Sequence, residues 1–388
     1  MAVTLSNADN ALKSLYLDVV SEQLNKNANP FLARIKQSTN DVWGKEVRKL
    51  AVYGVNGGIG AGTEDGALPK SVGNNYSQFV ATLKNLYGTI EISDKAIRAS
   101  EHNSGAFVNL LNAEMEGLIK ASTFNFGRML FGDGSGRLAN ITTVENNLIS
   151  VESTQNLAEG MIVEVYHDGL MLSGRKIVKI DRAKREVELD GEPLEDFSLG
   201  DGCYMVLQNS LNNEITGLKA IFDTENDTLY GLSKANNPWL KPYAQTLDNK
   251  ISENAIQKAI DTIEEVSGSS VNFIMCSWGV RRALQSLFAQ NRCNVDVMEL
   301  AGGFKAISYN GIPIVADRFC PKGTMYLLNT DDFILHQLCD WQWLADDDGK
   351  VLKQVAGKPV YTATLVKYAE LMCSRPNGQG VIYNIFEE

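Results

Sequence analysis

Histidine is scarce in this sequence: His102, His167 and His336 are the only three in 388 residues. Neither Gly-x-Ser-x-Gly nor His-Glu-x-x-His occurs, so no motif pairs His102 or His336 with a nucleophile. The six cysteines (Cys203, Cys276, Cys293, Cys320, Cys339, Cys373) are scattered without a Cys-x-x-Cys pair, which argues against a zinc or redox motif and leaves reduced thiols as the default. Apolar runs are short. No stretch of about 18 apolar residues exists, and MAVTLSNADNALKS lacks a basic region followed by an apolar core, so neither membrane insertion nor secretion is expected. Basic residues are outnumbered, with 36 Lys and Arg against 47 Asp and Glu and a net charge of −11. That balance argues against tight direct binding of nucleic acid, which needs clustered cations. The adjacent acids Asp331-Asp332 and Glu264-Glu265 point in different directions, poor geometry for an acid–base pair. Asp346-Asp347-Asp348-Gly349 lacks the alternating ligands and distal Glu of a calcium loop. No catalytic, cofactor or metal residues are expected, and the chain does not read as an enzyme.

What is present is an ordinary globular composition, 44% hydrophobic and 21% charged, long enough for two or three domains. Its dominant feature is Ser104–Phe131. Phe107, Leu111, Met115, Leu118, Ser122, Phe126 and Met129 recur in steps of three and four, one face of a helix kept in register. At 1.5 Å per residue it would run roughly 42 Å, far longer than an average globular helix. Asn103 or Ser104 can cap its start, and Gly132-Asp133-Gly134 stops it. On periodicity alone, an extended girder and a long core helix account for it equally well.

Before it, Asn10–Leu24 reads as an amphipathic helix with Leu15 and Val19 on its apolar side, ended by Asn25–Pro30. Lys45–Val55 and Tyr76–Ile92 alternate as two strands around a segment holding seven glycines between Gly54 and Gly73. That segment fits no phosphate-loop pattern and leads into a strand rather than a helix. It reads as a long two-stranded arm with a mobile tip. Such a ribbon is marginal alone and needs a surface to lie on. After the long helix, Leu148–Asn209 breaks into short strands separated by turn signals, the pattern of a small antiparallel barrel or sandwich with a mixed-charge, solvated surface. From Glu214, a Ser252-capped helix, a buried strand at Val271–Cys276, a helix at Val280–Gln290 and an Asn310-Gly311 hairpin give an α+β unit. Tyr361–Cys373 and Gly380–Phe386 are closing strands, and Trp341 and Trp343 share one strand face, more often core than ligand platform.

In this order of elements, and most closely in NGIPIVADRFCPKGTMYLLNTDDFIL (Asn310–Leu335) followed by YTATLVKYAELMCSRPNGQGVIYNI (Tyr361–Ile385), the chain resembles the major capsid proteins of tailed bacteriophages, the Hong Kong 97-like fold. The resemblance implies an α+β fold with an N-terminal arm (1–44), an extended loop (45–92), a peripheral domain (93–140 and 331–388) with a spine helix (104–131), an inserted small β-barrel domain (141–213) and an axial domain (214–330). It implies a shell subunit that self-assembles as hexamers and pentamers into an icosahedral capsid around double-stranded DNA, assembled in the host cytoplasm. A separate scaffolding protein, a portal and a decoration protein are the implied partners. The alternative is the shell of a bacterial nanocompartment enclosing cargo protein; those shells look similar but generally lack such an insertion. Interface residues are then expected at Leu15, Val19, Tyr53, Gly57, Gly58, Lys70, Tyr76 and Phe79. Packing of the spine falls to Phe107, Leu111, Met115, Leu118, Phe126 and Met129. Gly117, mid-helix, is the expected bend. Lys70 sits where some relatives crosslink, but no convincing Asn and Glu partners accompany it, and no crosslink is expected.

Overall fold

A computed structural model describes residues 29–42, 44–96, 104–192, 202–224, 226–290, 297–299, 305–345, 349 and 351–387. The terminal helix with Leu15 and Val19, His102, and Asp346–Asp348 lie outside these residues, as do the side chains of Phe107 and Leu111.

The 14-residue strand Val360–Cys373 organises the first unit. One edge pairs antiparallel with Lys84–Ser93, the other with Phe333–Trp343 and the short Lys353–Gln354, and Lys36–Ser38 adds in parallel beyond Phe333–Trp343. Across the sheet lies helix α1, Ser104–Met129, which stops two residues before the expected end. Met115, Ile119, Ser122, Phe126 and Met129 are buried at helical spacing, while Leu118 is only half-buried, so the buried stripe runs through Ile119 rather than Leu118. Leu118 packs on the strand at Gly88: a Cβ there would lie 2.9 Å from Leu118 Cδ1 and 3.3 Å from Ser122 Oγ, so the bare glycine lets helix and strand approach. Phe126 meets Trp341 edge-on at 6.2 Å, and Trp341 and Trp343 are core residues.

The expected single strand Tyr76–Ile92 is two strands, Asn75–Thr82 and Lys84–Ser93, that join different sheets. Inward residues are Phe79, Ala81 and Leu83 before the break, then Leu86, Ile90 and Ile92 after it. The alternation changes parity, so one straight strand could not bury both sets.

The second unit is a seven-stranded mixed sheet in the order Tyr243–Asn249, Gly380–Ile385, Met325–Leu328, Phe273–Cys276, Ile312–Ala316, Lys305–Tyr309, Val297–Glu299. A short helix α2, Leu218–Phe222, precedes it in the chain. Helix α3, Glu253–Ser267, starts where Ser252 accepts from Ala255 N–H at 3.2 Å and ends at left-handed Gly268. Its Ile256, Ala259, Ile260 and Ile263 share a core with Val280 and Leu284 of helix α4, Trp278–Gln290. Asn310 and Gly311, both at positive φ, turn the hairpin. Gly380–Ile385 therefore does not belong to the same sheet as Val360–Cys373, which corrects the 331–388 boundary. Its Gly380, Val381 and Ile382 are all buried, as a strand with neighbours on both edges and cover on both faces must be.

The third unit is a closed six-stranded barrel: Tyr204–Leu207, Arg137–Glu145, Leu148–Val151, Glu186–Leu189, Leu170–Asp181, Ile162–Tyr166, and back to Tyr204–Leu207. Ile149, Val163, Ile177, Val187 and Met205 are fully buried in its core. Its first strand starts at Arg137, so the boundary expected at 141 falls inside a strand. Closure requires that strand, because it pairs with both Tyr204–Leu207 and Leu148–Val151.

Candidate functional site

The arm pairs Glu46–Tyr53 with Asn75–Thr82 in a register running from Glu46 opposite Thr82 to Tyr53 opposite Asn75. Strand alternation divides its side chains cleanly. Val47, Ala51, Phe79 and Ala81 turn inward and are buried. Leu50, Val52 and Tyr76 turn outward and are exposed, and the apolar series continues through Val55, Ile59, Leu68 and Val72 in the glycine-rich tip, where Leu68 is 90% exposed. These exposed apolar side chains follow one another along the outer face and tip of the ribbon.

The root of the arm is held by the chain itself. The Tyr53 ring stacks on Trp239 at 4.9 Å, and Phe79 packs against Trp239 at 5.8 Å and Tyr230 at 5.5 Å. Val80 N–H donates to the Tyr230 carbonyl at 3.0 Å. The Tyr230 hydroxyl accepts from Cys373 N–H at 3.0 Å and donates to the Leu371 carbonyl at 3.3 Å, tying the root to the end of Val360–Cys373. Burial holds the Tyr230 phenol well above its ordinary pKa, against the opposing pull of the hydrogen bond from Cys373 N–H.

These contacts correct one expected interface residue: Phe79, 1% exposed, braces the arm within its own subunit and is not free to meet a neighbour. Tyr53 stacks on Trp239 and is half-buried. Gly57, Lys70 and Tyr76 are exposed and Gly58 half-buried, all along the tip or the outer face. The tip closes on itself: Gly58 N–H donates to Asn56 Oδ1 at 2.8 Å, and Asn56 donates to Asn74 Oδ1 at 2.9 Å. Sequence reasoning missed Trp239 and Tyr230, whose surroundings, NNPWLKPY and TLYGLS, carry only turn signals.

A second construction fixes the barrel on the rest of the chain. Arg128, in the last turn of α1, forms a two-pronged ion pair with Glu214, at 2.9 and 2.5 Å, and both side chains are 3% exposed. Between them in sequence lies the whole barrel. The flanking segments run side by side, with Leu218 N–H donating to the Leu130 carbonyl at 2.8 Å and Asn212 N–H to Ser135 at 2.9 Å. Gly217 permits this, since a Cβ there would press on the carbonyls of Met129, Leu130 and Gly132. Asp133 pairs with Lys219 at 2.8 Å; partial burial works against its charge, but hydrogen bonds from Lys219 and Ser135 bring its carboxyl down to about 2.

No family model matches this sequence, and no curated relative does at the sequence level. Solved structures match by shape. The capsid asymmetric unit of cyanophage A-1(L) is 14% identical with a TM-score of 0.57, covering 94% of this chain and 92% of that one. The holo-SrpI encapsulin complex from Synechococcus elongatus is 10% identical with a TM-score of 0.50, covering 95% of each chain. At these identities the likeness is one of fold, and it runs over nearly the whole length: this chain has the Hong Kong 97-like fold.

Proposed function

We propose that this chain is the major capsid protein of a tailed phage, assembling as hexamers and pentamers into an icosahedral shell around double-stranded DNA. The observation that carries the reading is the arm: a ribbon anchored at its root and covered with exposed apolar side chains along its outer face and tip. A second copy is the natural cover for a surface repeated on every subunit. The fold shared with a cyanophage capsid supports the same reading. The subunit belongs to the virion and passes through the host cytoplasm during assembly, with a separate scaffolding protein, a portal and a decoration protein as partners. No catalytic role is assigned.

Deleting Gly57–Lys70 removes the end of the tip with Ile59 and Leu68 and leaves the root contacts of Tyr53 and Phe79 in place. The expected result is folded, soluble subunits that fail to close shells, read by sedimentation and electron microscopy. Normal particles from this variant would defeat the reading. The rival is a shell around protein cargo, which the weaker likeness to an encapsulin does not favour over a phage capsid. Nucleic-acid content of purified particles separates the two, and DNA-free particles loaded with protein would select the rival.

Within this reading, α1 is the spine and Gly117 the place where it bends during maturation. Gly117 is exposed, and a Cβ there would meet nothing within 4 Å. Gly117→Ala should therefore stabilise the isolated subunit by up to about 1 kcal/mol through helix propensity, while slowing shell expansion. Expansion at the wild-type rate would remove the bend from the account.

A further inference from the structure

We infer that the cleft between the barrel and the seven-stranded sheet binds single-stranded nucleic acid through its phosphates. The cleft encloses about 680 Å³ and is lined by Arg182, Arg185, Arg282, Arg318, Lys322 and Trp278. In sequence these cations are scattered, and those of the barrel sit among acids. Folding brings together Arg182 and Arg185 from a barrel turn, Arg282 from the start of α4, and Arg318 and Lys322 from the turn before Met325–Leu328. In a chain of net charge −11, the sign is reversed here.

The walls are fixed before any ligand arrives. Gln155 of the barrel donates its amide to the Cys320 carbonyl at 2.9 Å and also to that of Arg318, joining the two sides. Arg182 is held by the carbonyls of Thr154 and Leu157 at 2.9 and 3.2 Å, and the Arg318 guanidinium lies 4.7 Å over the Phe124 ring. The two lining carboxylates are already engaged: Glu387 accepts from Ser277 Oγ at 2.5 Å and Gly323 N–H at 2.7 Å, and Glu152 accepts from Asn140 at 2.8 Å. Glu387 thus covers the N-terminus of α4 with the chain's own charge, and the anion-binding capacity rests on the five cations.

Trp278 decides between kinds of polyanion. Its indole is 51% exposed beside the cations, with Arg281 also 5.7 Å from the ring. An acidic peptide would use the charges and leave the indole idle. An unpaired base stacks on such a face while its phosphates meet the guanidinium groups. This inference does not depend on the shell reading, because it concerns the binding of the chain itself.

The test is fluorescence anisotropy of a labelled oligothymidylate with the full-length protein, as purified and after dissociation of any particle. Saturable binding is expected at low salt, with a slope of log affinity against log salt of about −3.5, from five cations at about 0.7 each. Arg282→Gln with Lys322→Gln should weaken binding about tenfold and flatten the slope by about 1.4. Trp278→Ala should weaken it with the slope unchanged, and Lys258→Gln, outside the cleft, should do nothing. Circular dichroism checks that each variant folds, and Arg185→Gln replaces any that does not. Absence of binding, or cleft variants that bind like wild type, would overturn the inference. So would displacement by polyglutamate, which points to a protein partner, or by tripolyphosphate at matched phosphate concentration, which points to free polyphosphate.

Discussion

Glu214→Gln should destabilise the folded subunit by about 3 to 5 kcal/mol, the cost of stranding one charge of a buried ion pair. The pair lies at 3% exposure on both sides, and a guanidinium cannot shed its proton to escape. Arg128 Nε has no hydrogen-bond partner among the described residues, so Glu214 carries nearly all the compensation for that charge. Removing both charges, Arg128→Met with Glu214→Leu, should cost much less than either change alone, since two apolar groups of similar volume need no solvation. Urea denaturation of dissociated subunits measures both. Hydrogen exchange should locate the damage at residues 130–136 and 210–218, where the chain passes into and out of the barrel. A double variant as unstable as the single would show that the packing of the junction, and not the stranded charge, sets the cost.

That junction also marks where sequence reading reaches its limit. Features governed by neighbours in sequence were legible: the Ser252 cap, the left-handed stop at Gly268, the Asn310-Gly311 turn and the periodicity of α1. So were the turns that divide the barrel strands. The parity change between Leu83 and Leu86 was also written in the sequence, but reading Tyr76–Ile92 as one strand passed over it. What was not legible depends on partners far along the chain. Gly380–Ile385 reads as a strand, yet nothing local says that it leaves the sheet of Val360–Cys373 to sit between Tyr243–Asn249 and Met325–Leu328. Phe79 was assigned to the arm's outer contacts because Trp239 and Tyr230, which bury it, lie about 150 residues away. The cleft is the extreme case. Arg182 and Arg185 looked like part of a solvated, mixed-charge surface until Arg282, Arg318 and Lys322 were placed opposite them.

Glu370→Gln should stabilise the subunit above neutral pH and leave it unchanged near pH 4. Glu370 is buried on the central strand, and burial pushes its carboxyl up from 4.5 to about 7, against the opposing pull of hydrogen bonds from Thr216 and the charge of Lys84. Its oxygen accepts from Thr216 N–H at 2.6 Å and Leu371 N–H at 3.2 Å, bonds that a glutamine oxygen can keep. A carboxyl whose folded pKa is raised holds its proton in the native state where the unfolded chain has already lost it. Between 4.5 and about 7 the native state therefore binds more protons, and each step up in pH lowers stability. A shift of this size corresponds to on the order of 3 kcal/mol, fully developed above pH 7. Other groups bend the wild-type curve too. Asp317, raised by burial to about 6, acts with the same sign, and His336, opposite Glu370 on the neighbouring strand and lowered by burial, acts with the opposite sign as pH falls through 6.5. Asp133, held at about 2, adds stability that is lost only as pH falls below its ordinary 3.8. Those groups are present in both proteins and cancel in the difference. Urea titrations of wild type and Glu370→Gln at pH 4, 5.5, 7 and 8 should give a difference near zero at the first and a plateau at the last. A difference independent of pH would mean that Lys84 and Thr216 keep Glu370 ionised inside the fold. Since Thr216 is two residues from Glu214, the same measurement asks whether protonation of the central strand, together with the Arg128 ion pair, holds the outgoing side of the barrel junction.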